Sequence, residues 1–70
     1  MQLGRYKHYK GGIYNVIAVA KHSETMEDMV VYHNYKSPAE YWVRPKFMFI
    51  ESIEIEGKII SRFAKIADHE

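Results

Sequence analysis

The chain has no cysteine, so it can hold neither a disulfide nor a thiolate metal site. That fits a reducing compartment. It has only two prolines and four glycines, so the places where they fall are informative about turns. It has no apolar run long enough to span a membrane, and the opening MQLGRYK lacks the apolar core of a signal peptide. The expectation is a cytoplasmic protein with no membrane partner. An excess of one charge is missing too. Ten Lys and Arg stand against nine Asp and Glu, a net +1. Any nucleic-acid binding through Arg5, Lys7 and Lys10 is therefore expected to be weak and led by phosphate contacts. The charge is unevenly spread, however. Residues 1–22 carry Arg5, Lys7, Lys10 and Lys21 and no acid, and Glu24, Glu27 and Asp28 follow at once. This is either a solvated edge or a basic face for an anionic partner.

What is present is a rich set of aromatic and β-branched residues. Seventy residues make one small domain, spanning 1–70. Its core alone supplies little stability, so dimerisation would help it. Gly11-Gly12 marks a tight turn. Before it, Tyr6 and His8 share one strand face, expected to look outward or to a rim, while Tyr9 is expected to face the core. After it, IYNVIAVAKH is β-branched and apolar on both faces at its middle, which suits a closed or strongly bent sheet. SETMED reads as a connection and MVVYHN as a strand. YKSPAE reads as a loop around Pro38 with at most one helical turn, because Ser37-Pro38-Ala39-Glu40 matches a capping box. YWVR is a short strand ended by Pro45. PKFMFIE is a turn that drops Phe47 and Phe49 into the core. FIESIEIEGKIISRF is a hairpin turning at Glu56-Gly57-Lys58, with a two- or three-residue loop. The tail from about 64 to 70 is expected to be loosely held. The fold class expected is all-β: a small SH3-like β-barrel of about five short strands.

Each candidate site competes with a plainer explanation. Glu51 falls on the Phe49-Ile53-Ile55 face, so it should point inward and pair with Arg44 or Arg62; alternatively the strand begins after it and the carboxylate is wet. His8, His22 and His33 with Glu24 could gather round a metal, but their spacing matches no ligand pattern and satisfied strand histidines explain them as well. Ser23 and Thr25 beside His22 lack the turn a nucleophile needs and serve a hydrogen-bonded loop equally. Tyr6, Tyr9, Tyr14, Tyr32, Tyr35, Tyr41 and Trp42 are more rings than this core can hide. Interleaved with Lys7, Lys10 and Arg44, the exposed ones could form a stacking platform or a peptide groove, or simply pack along amphipathic strands.

The same residues carry a family likeness. YKHYKGGIYNVIAVAKHSET, VVYHN, WVRPKFMF and the final RF resemble small uncharacterised bacterial proteins known as the domain of unknown function 1653. The likeness runs from Tyr6 to Ile66. It implies an SH3-like barrel and brings no reaction, cofactor or partner with it. It singles out Tyr6, His8, Tyr9, Lys10, Gly11, His22, Ser23, Glu24, Thr25, Trp42, Arg44, Pro45 and Phe49. The turns explain Gly11 and Pro45, whereas His22, Ser23, Glu24, Thr25 and Arg44 have no obvious packing need.

The leading functional expectation is a small binding module. Its ligand-binding residues would be Tyr6, His8, His22, Ser23, Glu24, Thr25, Trp42 and Arg44. An aromatic, basic rim groove would take a peptide, a nucleic acid or a small polar ligand. No metal and no cofactor are expected. The rival expectations are a small enzyme with His22 as base oriented by Glu24 or Glu51, and a homodimer whose aromatic edge is an assembly surface.

Overall fold

The structure, a computed structural model, describes residues 1–67. Seven strands and one helical turn follow in order: β1 Gly4–His8, β2 Ile13–Lys21, β3 Asp28–Asn34, β4 Ser37–Pro45, α1 Lys46–Phe49, β5 Ser52–Ile55, β6 Lys58–Ser61 and β7 Phe63–Lys65. The fold is all-β, as the sequence suggests. The expected SH3-like barrel of about five strands is corrected: one five-stranded antiparallel sheet, ordered β4-β3-β2-β1-β7, lies beside a separate two-stranded β5-β6 hairpin, and no barrel closes among the described residues.

Glycine sets the turns. Gly11 takes φ +108°, a conformation most side chains resist, and its N–H bonds the His8 carbonyl at 2.8 Å. At the last hairpin Glu56 and Gly57 have φ +51° and +81°, and Ile55 pairs directly with Lys58. The loop is therefore of two residues with both φ values positive, the form whose twist matches the flanking strands. That resolves the register the sequence leaves open.

The core lies on one face of the curved sheet. Tyr6, Val16, Val30, Tyr32, Phe49 and Phe63 are its buried apolar residues. Phe49 and Phe63 stack at 4.1 Å between centroids, and Tyr6 and Tyr32 each meet Phe49 edge-on at 5.4 Å. Such ring pairs add to plain area burial. Four sequence readings change here. Tyr6, not Tyr9, is the core residue of β1. β1 ends at His8, so strand alternation does not extend to Tyr9 in the turn. Ile17 and Val19 are partly exposed, and a bulge between Val16 and Ala18 breaks the expected two-sided burial of β2. The YKSPAE loop shrinks to Tyr35-Lys36, because β4 already begins at Ser37. Finally, PKFMFIE forms a helical turn, not a simple one. It buries Phe49 completely and leaves Phe47 60% exposed, since a helical turn sends these two side chains different ways.

The tail expected to be loosely held from about 64 begins inside a paired strand. β7 pairs His8 with Phe63 and Tyr6 with Lys65, and the Ile66 N–H bonds the Arg5 carbonyl at 3.0 Å. Residues 68–70 lie outside the described residues.

Candidate functional site

Strand pairing lays out the concave face residue by residue. Val16 stands opposite Tyr32, and Tyr32 opposite Trp42. Val30 stands opposite Arg44. Paired residues share a face, so Trp42 and Arg44 of β4 project on the same side as the buried rings. Trp42 stays 52% exposed. Beside it a concavity of about 310 Å³ is lined by Tyr14, Tyr32, Asn34, Ser37, Glu40 and Trp42. Its floor is aromatic: Tyr14 meets Tyr32 edge-on at 5.6 Å and Phe63 at 5.8 Å.

Phe63, which meets Tyr14 and Tyr32 of the hollow, also has cationic neighbours. The Arg44 guanidinium lies 5.8 Å from the centroid of the Phe63 ring, within range of a cation–π contact. The His8 ring meets Phe63 edge-on at 4.8 Å. Partial burial, and then the charges of Arg62, Lys10 and Arg44, lower the His8 imidazole below its ordinary value. Arg62 reaches Glu51 through Nη2 at 3.4 Å, while its Nε is buried and makes no hydrogen bond among the described residues. Glu51 therefore has an arginine partner, as expected. It is not inward, however: its side chain is 43% exposed, because β5 begins only at Ser52.

Of the sequence candidates, the structure brings His8, Trp42 and Arg44 to one face and puts Tyr6 beneath it. Tyr6 is a buried core residue whose hydroxyl donates to the Gln2 carbonyl at 2.7 Å, so its outward placement is corrected. His22, Ser23, Glu24 and Thr25 do not join them. They form the tip of the β2-β3 hairpin, about 20 Å of strand beyond Val16. The tip satisfies itself. The Glu24 and Thr25 backbone N–H groups donate to His22 Nδ1 at 3.1 and 3.3 Å. Thr25 Oγ1 accepts the Glu27 N–H at 3.2 Å. Just behind, Lys21 Nζ bonds Asp28 at 2.6 Å and holds that carboxyl below its usual range.

The imidazoles do not gather. His33 is buried on the other face, donating from Nδ1 to the Asn34 carbonyl at 2.9 Å and stacked on Tyr41 at 5.5 Å. Among the described residues no three His, Asp or Glu side chains are placed to hold a metal ion. Arg5 and Lys7 also sit on the far face, where they line a mainly apolar hollow of about 520 Å³ and the Arg5 guanidinium covers the Tyr35 ring at 4.3 Å. No helix among the described residues is long and apolar enough to cross a membrane.

The sequence reading missed Asn34, Ser37, Glu40 and the joint role of Tyr14, Tyr32, Phe63 and Arg62. The alternation Glu40-Trp42-Arg44 was the available signal, hidden by taking Ser37-Pro38 as a loop. Comparison with known proteins accords with this fold. A family model described as a protein of unknown function, DUF1653, matches residues 4–65. A crystal structure of a protein of that family from Bordetella bronchiseptica is similar to this chain, with a TM-score of 0.87 and 28% identity over 100% of this chain and 92% of that one. No curated protein matches significantly. The chain therefore belongs to the DUF1653 family of proteins of unknown function.

Proposed function

We propose that the protein is a small cytoplasmic binding module whose concave face takes a ligand combining a flat ring with an anionic group, as a nucleotide does. The observation that supports this reading most is the joining of two features on one face. An exposed indole stands over a tyrosine-lined hollow, and Phe63, which meets Tyr14 and Tyr32 of that hollow, is also met by His8 and Arg44, with the Arg62 charge felt at His8. Rings offer a stacking surface to any planar group. Guanidinium groups offer paired donors to a phosphate or carboxylate. Asn34 and Ser37 in the hollow can read polar edges of the ring. The hollow is shallow, so affinity should be modest.

The reading asks for binding without chemistry. An enzyme built on His22 would need a carboxylate to orient its ring, yet His22 Nδ1 accepts backbone N–H groups of its own turn, and Glu51 is engaged by Arg62. Trp42 is the one tryptophan, which makes its fluorescence a clean reporter. Titrating a nucleoside monophosphate, the matching nucleoside and inorganic phosphate separates the two halves of the proposal. The nucleotide should shift the Trp42 signal at the lowest concentration, and Arg44→Ala should weaken it. Equal responses to nucleoside and nucleotide would remove the cationic groups from the reading.

A further inference from the structure

β4 is the outermost strand of the sheet on its side. It is nine residues long, and all but Arg44 and Pro45 are exposed. An edge of this kind carries a row of backbone N–H and C=O groups without strand partners. Proteins blunt such edges with lysine, proline, bulges or a covering element. β4 contains no lysine. Its prolines, Pro38 and Pro45, stand near its two ends, and its pairing with β3 slips at residues 38–40, between the Asn34–Ser37 and His33–Tyr41 pairs; the regularly paired Tyr41, Trp42 and Val43 remain open, all three more than half exposed. A chain this small, with six buried apolar residues among those described, gains from covering such a strand.

We propose that the open edge of β4 is a homodimer interface, in which two copies pair antiparallel about a two-fold axis at Trp42. In that register, residues equally far from Trp42 along the strand face each other. Tyr41 meets the partner's Val43, apolar against apolar. Glu40 meets the partner's Arg44, acid against base, and symmetry makes that pair twice. Both residues point to the concave side, since Glu40 lines the hollow beside Trp42 and Arg44 lies over Phe63. Cross-strand pairs of opposite charge stabilise a sheet, and like charges oppose it. Neighbouring registers lack this match. Centring on Tyr41 sets Glu40 against the partner's Trp42. Centring on Val43 sets Glu40 against the partner's Lys46, which has already left the strand for α1. The axis puts both concave faces on one side of a continuous sheet, with the two indoles adjacent at its middle. Arg44 has five N–H donors, enough to serve the pair and a bound anion together. The dimer stands or falls independently of what the concave face binds.

Sedimentation across a range of protein concentrations tests it. The parent chain should sediment as a monomer–dimer equilibrium. Glu40→Arg and Arg44→Glu should each raise the dimer dissociation constant on the order of tenfold or more, and the double variant E40R/R44E should restore it. Both positions lie on the edge, and circular dichroism confirms the fold of each variant. Amide hydrogen exchange gives a second readout, with residues 41 to 43 gaining protection as concentration rises. A parent that stays monomeric throughout would leave the edge to solvent or a foreign strand and overturn the proposal. So would a folded double variant that dimerises no better than the single ones.

Discussion

Phe49→Leu should unfold the protein far more readily than Phe47→Leu, although both phenylalanines sit in one helical turn. Phe49 is completely buried and touches three rings, those of Tyr6, Tyr32 and Phe63. Phe47 is 60% exposed. Leucine at 49 removes roughly three buried carbons, about 2 kcal/mol, before any loss of ring pairing. Losing the stacked contact with Phe63 at 4.1 Å adds about 0.5–1.5 kcal/mol. The sum is about 3 kcal/mol, a large part of the ~3–5 kcal/mol that a core of this size supplies. For a domain of this length that lowers the melting temperature by roughly 12–24 °C. Phe47→Leu should stay within about 0.5 kcal/mol, as exposed positions do. Thermal and urea melts followed by circular dichroism measure both. Similar small shifts for the two variants would refute the placement of α1 as the plug of the sheet.

Glu51→Ala should cost less than about 1 kcal/mol, because its pair with Arg62 is 3.4 Å long and its side chain is 43% exposed; a loss in urea melts matching that of Phe49→Leu would mean the pair is buried after all. His8 links stability to pH. Its folded pKa is lowered, so near neutrality the unfolded chain takes the proton first; the stability tied to this group is complete above the ordinary value of 6.5 and falls as pH drops through it toward the folded value. Protonation also removes the Nδ1 acceptor used by the Lys10 N–H at 3.1 Å. Urea midpoints measured against pH should fall more steeply in acid for the parent than for His8→Gln, and an NMR-titrated His8 pKa above 6.5 would reverse the argument. His22→Ala should speed amide exchange at Glu24 and Thr25, whose N–H groups it accepts, and should leave nucleotide binding unchanged; lost binding would return the hairpin tip to the site.

Much of the strand content is legible from β-branched runs and from the placement of glycine. Gly11 and Gly57 mark the turns because few other residues tolerate φ values of +108° and +81°. Sheet closure is not legible in this way. The run from Val16 to Ala20 is apolar on both faces, but a bulge and partial exposure account for it as well as closure would. Local signals also misled where two structures share them. Ser37-Pro38-Ala39-Glu40 carries helix-capping residues, yet β4 runs through it, because pairing with β3 outweighs a local cap. Part of the proposed site was visible as chemistry: Trp42, Arg44 and His8 are aromatic or cationic side chains interleaved along the strands. Which of the candidates meet is decided by register, and register placed His22 and Glu24 at the far end of the hairpin.

The most direct test of the concave face as the working site is an NMR titration of the isotope-labelled protein with a nucleoside monophosphate, followed at every amide and at the Trp42 indole. The account predicts shifts confined to Trp42, Tyr32, Asn34, Ser37, Arg44, His8 and Arg62, with the 22–25 tip and the Arg5-Tyr35 face silent. Shifts centred on that tip or on the Arg5-Tyr35 hollow, or none at saturating nucleotide, would contradict it.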